Sequence, residues 1–435
     1  MVSLQEFQKG QISLPDALGY ASVRWPEILP GGKAVLFTAW TFAAEPFDNA
    51  RIGVLSLDTG QQRVLVERGA YARYMRSGHL VYARAEGLLA VPFDLQRLEV
   101  TGPRVSVLEG VSMSPLSGAV QFSLSGDGSL AYAAGGATVA ERTLLWVDRK
   151  RAVQPLAAPP RPYMSPRVSP DGRWLAVGII PGTWVYDLAR DTLTRLTEHG
   201  GPRSIWTPDG KHVTFSSPHP QSGVLELYWM LADGSGAVER LTASENPQVP
   251  GSWSPDGQLL AFSEADPTTG WDIWVLNLRG ERKSQPFLQT PSNEYEPMFS
   301  PDGHWLAYES DETGRREIYV RPFPGPGGKT QISTEGGVEP MWARNGRELF
   351  YRNGDKMMVA AVETKPVFAA ARPKLLFEGH YEAFNSPFQR DYDVSPDGQK
   401  FLMVKASQQE SPPTQLNVVL NWSDELRRLA PAGKP

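Results

Sequence analysis

The residues that could perform chemistry are few, and their spacing excludes several classes of enzyme. The chain has no cysteine, so it can form no disulfide, thiolate zinc site or cysteine nucleophile. None of its six histidines belongs to an H-E-x-x-H or H-x-H pair, and no G-x-S-x-G nucleophile turn is present. We therefore predict no catalytic residue, no bound metal and no cofactor, and we expect lone histidines at the surface.

Two patterns imitate ligand sites but suit loops and turns better. Residues 325–330 read GPGGKT, yet Phe323 stands where a phosphate-binding loop needs its first glycine, so we expect a surface loop. Five aspartates precede glycine in turns, where a short carboxylate accepts hydrogen bonds from the backbone of its own turn. Gly31, Ser77 and Asn345 at equivalent positions suit turns and are poor metal ligands. A structural role is predicted for Asp171, Asp209, Asp256, Asp302 and Asp397.

One short motif recurs along the chain. A repeated structural element must therefore position the residues described above. Each copy has an apolar pair, a turn of the Pro-Asp-Gly type and alternating apolar residues, which together predict a β-hairpin. The turns are about 46 residues apart on average, a period typical of propeller blades. The nine copies are ILPGGKAVLF (28–37), YMRSGHLVYA (74–83), SLSGDGSLAY (123–132), VSPDGRWLAV (168–177), WTPDGKHVTF (206–215), WSPDGQLLAF (253–262), FSPDGHWLAY (299–308), WARNGRELFY (342–351) and VSPDGQKFLM (394–403).

Further strands follow the hairpins. A third strand is predicted at Asp272–Val275 (DIWV), Glu317–Val320 (EIYV) and, more loosely, Thr183–Tyr186. A short fourth strand ends in Leu-Thr at 196–197 and 241–242. The chain is therefore predicted to be all-β, a β-propeller of four-stranded antiparallel blades. We expect the following aromatic residues to pack between blades: Trp206, Trp253, Phe262, Phe299 and Tyr308.

The C-terminal part of the chain leaves the closure of the propeller open. The ninth hairpin has three predicted strands, at 390–395, 400–405 and 415–421, and a strand at 3–13 could complete that blade as a closing clasp. The tail Ser423–Leu429 predicts a short helix with Ser423 as its N-cap.

Two ring arrangements are compatible with nine hairpins. The first is a single propeller of eight or nine blades spanning residues 1–435. The alternative is a partial propeller at 1–140 followed by a six-bladed propeller at 141–435, with the boundary at Gly135-Gly136-Ala137-Thr138. We favour the single ring, because an incomplete ring would expose two sheet faces.

Composition and charge narrow the classes of partner. Charged residues make up 21% and hydrophobic residues 41% of the 435 residues, as in an ordinary folded protein. A net charge of −5 gives no reason to expect nucleic acid as a partner. No segment approaches the roughly 18 apolar residues of a membrane span, and the first residues lack the pattern of a secretion signal. The chain as written is expected to be cytoplasmic.

The hairpin period and the D-I-W-V motif resemble the TolB-like family of WD-type β-propeller repeats, over about residues 20–422. A narrower resemblance is to the propeller region that lies C-terminal to bacterial serine/threonine protein kinase domains. The segments that carry it are RWPEILPGGKAVLF (24–37), SGHLVYARAEGLLAVPFD (77–94), FLQTPSNEYEPMFSPDGHWLAYES (287–310), EIYVRPFPGPGGKTQISTEGG (317–337), ARNGRELFY (343–351) and NVVLNWSDEL (417–426).

The narrower resemblance implies a sensor or protein-interaction region. The chain itself has no kinase glycine-rich loop, no H-R-D loop and no D-F-G motif. Two expectations follow. The chain is either a free-standing cytoplasmic relative that partners a kinase, or the extracytoplasmic end of a membrane-anchored kinase.

The remaining candidate surface is the ring face around the central channel. Inner strands are expected to begin near four charged residues, which we predict to line this funnel: Arg167, Arg203, Glu296 and Glu339. Mixed charge of this kind suits a polypeptide or a small polar ligand. The alternative is that the four are solvated loop charges or pair with one another.

We therefore predict a non-catalytic propeller that binds protein or peptide, as a sensor or scaffold module. A propeller hydrolase or lyase with a composite polar site in the funnel is one alternative, and a TolB-like periplasmic accessory protein is another. Alanine at Arg203 or Glu296 is expected to weaken partner capture without unfolding the chain.

Overall fold

The computed structural model describes residues 22–40, 50–114, 118–135, 141–198, 200, 203–382, 390–407 and 415–431. Within these ranges the chain forms 37 strands in nine antiparallel sheets and one helix, α1 (Trp422–Leu429). No helix in this part of the chain has the length and apolar character needed to cross a membrane. The all-β class and the multi-bladed β-propeller architecture predicted from sequence are confirmed.

We number the sheets as blades 1 to 9 by their first strand. Blade 1 contains β1 (Ser22–Ile28), β2 (Ala34–Trp40), β3 (Arg51–Ser56) and β4 (Gln62–Val66); blade 2 contains β5 (Ala70–Met75), β6 (His79–Arg84), β7 (Gly87–Asp94), β8 (Glu99–Val100) and β9 (Val105–Glu109); blade 3 contains β10 (Phe122–Leu124), β11 (Leu130–Ala133) and β37 (Leu416–Val419).

Blades 4 to 9 contain the remaining strands. Blade 4 has β12 (Arg142–Asp148), β13 (Val153–Pro155), β35 (Tyr392–Val394) and β36 (Lys400–Ala406); blade 5 has β14 (Met164–Val168), β15 (Trp174–Ile179), β16 (Gly182–Asp187) and β17 (Thr192–Arg195); blade 6 has β18 (Ser204–Trp206), β19 (His212–Pro218), β20 (Leu225–Leu231) and β21 (Glu239–Arg240). Blade 7 has β22 (Gln248–Trp253), β23 (Leu259–Asp266), β24 (Gly270–Asn277) and β25 (Lys283–Leu288); blade 8 has β26 (Glu294–Phe299), β27 (Trp305–Ser310), β28 (Glu317–Pro322) and β29 (Thr330–Gln331); blade 9 has β30 (Val338–Trp342), β31 (Glu348–Asn353), β32 (Lys356–Glu363), β33 (Ala369–Ala370) and β34 (Lys374–Glu378).

All nine predicted hairpins are present, one in each blade. The turns of the Pro-Asp-Gly type are stabilised by hydrogen bonds to the turn aspartates, as the sequence predicts. In blade 7, Ser254 Oγ donates to Asp256 Oδ1 at 2.6 Å, and the Gln258 N–H donates to the same oxygen at 3.1 Å. The other four turn aspartates accept an equivalent pair of hydrogen bonds: Asp171, Asp209, Asp302 and Asp397.

Blade 4 is assembled from two distant parts of the chain. Strand β12 pairs with β36 along its full length, from Arg142 opposite Ala406 to Asp148 opposite Lys400. Strands β13 and β35 complete the sheet on either side. The last hairpin therefore receives its two outer strands from residues that precede blade 5 in the sequence.

Blades 4 to 9 follow one another around a ring. Their inner strands are in contact in the order β35, β14, β18, β22, β26 and β30. Blade 9 packs on blade 4 through Phe350 and Phe401, whose ring centroids are 5.0 Å apart. We infer a closed six-bladed ring at residues 142–406 and a separate partial propeller in blades 1 to 3. These contacts agree with the alternative arrangement above rather than with the single ring that the repeat count favoured, and the division of the chain into domains stays a prediction.

Hydrogen bonds near the ring axis join each inner strand to the neighbouring blade. Trp206 Nε1 donates to Arg167 O at 3.0 Å, and Trp342 Nε1 donates to Met298 O at 3.1 Å. The other four contacts of this kind are Val168 N to Asp393 Oδ2, Trp253 Nε1 to Thr214 Oγ1, Phe299 N to Ser252 Oγ and Tyr392 Oη to Glu339 O. The aromatic residues expected between blades are all buried.

The C-terminal segment returns to blades 1 to 3. Strand β37 pairs with β11 in blade 3, so the strand predicted at 415–421 does not belong to the last hairpin. Helix α1 buries Trp422 and Leu426 in the core of blades 2 and 3. Its N-cap is Asn421, in the left-handed region at φ 56°, rather than the predicted Ser423, because the buried Trp422 is already helical. The clasp predicted at 3–13 lies outside the described residues.

His79 is a buried histidine and corrects the expectation that the histidines lie at the surface. It is fully buried, with Nε2 2.6 Å from Ala430 O and Nδ1 3.0 Å from Ser77 Oγ. It therefore fastens the end of α1 to blade 2.

Because blade 4 closes the ring, replacing one aromatic residue in it should lower the stability of the protein substantially. Phe401→Ala should lower the free energy of unfolding by about 3–5 kcal/mol, because it opens a cavity between blades 4 and 9. Val153→Ala in the same blade, where the side chain is 52% exposed, should cost less than about 0.5 kcal/mol. Urea unfolding of both variants measures the difference. Equal losses would contradict the closed ring.

The turn aspartates predict a pH-dependent contribution to stability. The Ser395 hydroxyl and the Gln399 N–H both donate to Asp397 and hold the pKa of its carboxyl below the usual 3.8. Asp397→Ala should therefore cost about 1 kcal/mol at pH 7. The cost should be complete above pH 3.8 and fade as the pH falls through the lower pKa of the folded state. Asp397→Asn should retain most of the stability, since Asn345 Oδ1 accepts the Arg347 N–H in the equivalent turn. Urea unfolding at pH 7 and pH 3 tests this, and a loss independent of pH would contradict it.

Candidate functional site

A funnel opens at the axis of the six-bladed ring, where the inner strands end. Its cavity is about 400 Å³ in volume. Each inner strand contributes the residue two positions before the first residue of its turn, and these six form one layer: Arg167, Ile205, Ser252, Met298, Met341 and Asp393. The layer forms the floor of the funnel.

The walls of the funnel are apolar. They consist of the residue that follows each floor position and of the turn prolines, namely Val168, Trp206, Trp253, Phe299, Trp342, Val394, Pro170, Pro208, Pro255 and Pro301. The prolines also lie against the glycine of the next turn: a Cβ at Gly303 would be 3.5 Å from Pro255 Cδ, and one at Gly257 would be 3.8 Å from Pro208 Cδ. The turns of blades 4 to 8 therefore form a collar at the rim.

A second layer lies two residues earlier on each inner strand, below the floor. It contains Ser165, Arg203, Pro250, Glu296, Glu339 and Asp391. Ser165, Glu296 and Glu339 have φ values of 46°, 51° and 60°, and each precedes a proline at an interruption of strand pairing. Non-glycine residues rarely adopt this left-handed conformation, so the backbone is bent to turn these side chains towards the axis.

A buried ion pair lies below the floor. Arg390 Nη2 donates to Glu296 Oε2 at 2.6 Å, and both side chains are more than nine-tenths buried. Arg390 comes from blade 4 and Glu296 from blade 8, so the pair reaches past blade 9. Removing either partner would leave an isolated buried charge, which is strongly destabilising.

Blades 8, 9 and 4 are further linked by two buried glutamates. Glu339 Oε2 accepts the Asp391 N–H at 2.9 Å, and Glu309 Oε1 accepts the Glu339 N–H at 2.6 Å. Burial raises the pKa of Glu309 to about 8, against the opposing effect of Arg316. Burial also raises the pKa of Glu339, against the field of Arg352. Both groups therefore hold protons more tightly than surface glutamates do.

Two arginines connect these layers with the funnel. Arg167 Nη1 donates to three carbonyl oxygens, those of Pro166, Arg390 and Tyr392. Arg344 lies at the rim in blade 9, and its Nη2 donates to Ser169 O of blade 5 at 3.1 Å. Burial lowers the pKa of both guanidinium groups, and in each case the Asp393 carboxylate opposes that effect.

The structure brings the four predicted site residues together at the axis, at two depths. Arg167 lies in the funnel floor, whereas Arg203, Glu296 and Glu339 lie in the layer below it. Burial lowers the pKa of Arg203 to about 10, and Glu296 opposes this shift. Because Glu296 pairs with Arg390, its alanine variant should destabilise the ring, contrary to our expectation that it would affect partner capture alone.

Sequence reasoning missed the residues that the last inner strand contributes. Arg390 and Asp393 line the funnel, and Asp391 lies below it. The signal was present, because Asp393 stands two positions before its turn serine, as Arg167 does before Ser169. Arg344, which takes the place of the turn proline in blade 9, carried no such signal.

The axis offers guanidinium groups and apolar surface more than ligands for a metal. Among the described residues, no three His, Asp or Glu side chains are grouped so that they could hold a metal ion. The GPGGKT segment lies between β28 and β29, in the loop predicted for it. Apolar walls of this kind suit apolar side chains, and the arginines can donate hydrogen bonds to anionic oxygens.

Comparisons with known proteins concern the fold. Residues 248–383 match the family described as TolB beta propeller domain. A putative TolB structure from Agrobacterium tumefaciens is 20% identical, covering 62% of this chain and 99% of that one, with a TM-score of 0.51. TolB from Acinetobacter baumannii is 16% identical over 75% of this chain and 79% of that one, with a TM-score of 0.42. A putative 6-phosphogluconolactonase from Bacteroides uniformis is 13% identical over 65% of this chain and 100% of that one, with a TM-score of 0.41. No curated protein matches the chain significantly.

The buried glutamates predict that stability falls as pH rises. Between pH 4.5 and about 8, folded Glu309 keeps a proton that the unfolded chain has released. The folded state binds more protons in this window, so raising the pH favours unfolding. Relative to Glu309→Gln, the wild type should therefore lose on the order of a few kcal/mol between pH 5 and 8. Urea unfolding across this range measures the difference, with exposed Glu363→Gln as the control that should run parallel to the wild type. Parallel curves for Glu309→Gln would disprove the prediction.

Proposed function

Because the chain is a TolB-like β-propeller, we propose that its six-bladed ring binds an extended segment of a protein partner and catalyses no reaction. The observation that carries the proposal is the funnel, a preformed cavity with apolar walls and a floor that includes Arg167, Ser252 and Asp393. Propeller axes are common places for ligands, but the fold alone does not assign one, so the argument rests on the residues that line this cavity.

The dimensions of the funnel favour a peptide segment over a folded surface. A volume of about 400 Å³ lies near the lower end of the range for ligand pockets, about 300–1,000 Å³, and holds a few side chains. Tryptophan and phenylalanine side chains in its walls and methionine side chains in its floor offer the flat and adaptable contacts that dominate protein interfaces. Because Glu296, Glu339 and Asp391 below the floor are buried, we do not expect a chain to thread through the ring.

The rigidity of the walls supports binding without a large entropic penalty. Trp206 and Trp342 face the funnel, and each is fixed by a hydrogen bond from its indole N–H to the neighbouring blade. The bonds from Phe299 N and Val168 N fix two further wall residues. A site that is already ordered in the free protein loses little side-chain freedom when a ligand arrives.

The proposal includes a sensor or scaffold role. The similarity of residues 287–310 and 317–337 to kinase-associated propellers supports a partner or fusion of the serine/threonine kinase type. In such a setting the ring would recognise a peptide segment, and the kinase would supply the chemistry.

Blocking the rim tests the proposed function. Random peptides displayed on phage, in one library with free N-termini and in another with free C-termini, are selected on the full chain, and the enriched peptides are titrated against two tryptophan variants. Pro255→Trp places an indole at the mouth of the funnel and should weaken binding at least about tenfold, a loss of 1.4 kcal/mol or more. Pro286→Trp, on the exposed outer strand of the same blade, should leave binding unchanged. Failure to enrich any peptide, or equal binding by both variants, would overturn the proposal.

A further inference from the structure

The charge of the funnel differs in sign from that of the chain. Three arginines line the cavity, Arg167, Arg344 and Arg390, against a single lining carboxylate, Asp393. The whole chain has a net charge of −5. A cavity enriched in positive charge on an acidic protein concentrates field lines on an anionic ligand.

These arginines also keep unused donors. Arg167 makes all its hydrogen bonds through Nη1, so its Nη2 and Nε donate to no atom of the described residues. Arg390 donates to Glu296 through Nη2 and to the weak acceptor Met298 Sδ through Nη1, and its enclosed Nε finds no acceptor in the part of the chain that the structure describes. An anion in the funnel would supply an acceptor to Arg167 Nη2, whose N–H groups donate to no atom of the described residues.

The one lining carboxylate is already engaged. Asp393 Oδ2 accepts the Val168 N–H at 2.6 Å, and its Oδ1 accepts the N–H of Val394 at 2.7 Å. Its remaining effect on Arg167 is a through-space attraction rather than a bidentate pair. The planar fork of a guanidinium group matches a carboxylate, so a second carboxylate is the natural complement of the floor.

We propose that the funnel binds the C-terminal carboxylate of its partner, preceded by apolar residues, a refinement that rests on the proposed function. The carboxylate lies between Arg167 in the floor and Arg344 at the rim, and the last side chains contact the tryptophan, phenylalanine and proline walls. A chain end is favoured over an internal acidic side chain because the axis is filled below the floor. An internal residue would have to enter with chain on both sides, whereas a terminus enters alone.

Peptides with matched ends test this inference on the full chain. The probes are N-acetylated tetrapeptides ending in pairs of leucine, methionine and phenylalanine, each made as the free acid and as the carboxamide. A third set is amidated and carries one aspartate at the second position. Affinities are measured by quenching of the intrinsic tryptophan fluorescence and confirmed by calorimetry.

The free acids should bind at least about tenfold more tightly than the carboxamides, as expected when charge-assisted hydrogen bonds are lost. Arg344→Gln should remove most of this preference, because it deletes a cation at the rim without touching the buried pairs. Arg347→Gln, on the same turn but outside the funnel lining, should keep the preference. Thermal unfolding checks that both variants remain folded.

The outcomes separate the two proposals. If no peptide of any set binds and none was enriched by display, the proposed function fails as well. Equal binding of acids and carboxamides, or an undiminished preference in Arg344→Gln, would overturn the carboxylate inference while leaving peptide binding in place. Tighter binding of the aspartate set than of the free acids would overturn the choice of a chain end.

Discussion

The pairing of β12 with β36 is the interaction on which the ring depends. It joins residues as far apart in sequence as Arg142 and Ala406, which are 264 positions from each other. Without it, blade 4 would lack two strands, and the faces of blades 5 and 9 would have no sheet to pack against. Loop-closure entropy grows only slowly with length, so such a distant pairing is affordable once the intervening blades are formed. The positions of the residues around the axis depend on this closure.

Two adjacent layers of residues at the axis differ in polarity. The lower layer contains buried charges, whose desolvation is costly and is offset only by close pairing, as between Arg390 and Glu296. A complete pair adds little to the free energy of unfolding. Removing only one partner is strongly destabilising, because the other charge stays buried without a counterion. The layer above is mostly apolar and open to the funnel. The charged layer thus closes the channel and fixes the strands, and the layer above is left free to bind a ligand.

Within the repeat, the turn and wall positions maintain the fold, whereas the floor position could determine function. Turn residues such as Asp256 and wall residues such as Trp253 recur in type from blade to blade, because hairpin geometry and packing between blades demand them. The floor position varies instead, from Arg167 to Ser252 to Met341, although floor residues such as Ser252 also accept hydrogen bonds from a neighbouring blade. A different ligand would therefore require substitutions at these positions that keep the bonds between blades.

The sequence by itself determined the local structure. The nine hairpins, the third strands and the role of turn aspartates such as Asp397 were predictable, because turn chemistry and alternation act over a few residues. It also pointed to four axial residues, whose depth it could not assign. The tertiary structure alone decided that β36 closes on β12, that β37 returns to blade 3, and that Glu296 is paired with Arg390 inside the ring. These are contacts between residues remote in sequence, and a repeat in which every blade looks alike contains no signal for which blades meet or which charges are buried together.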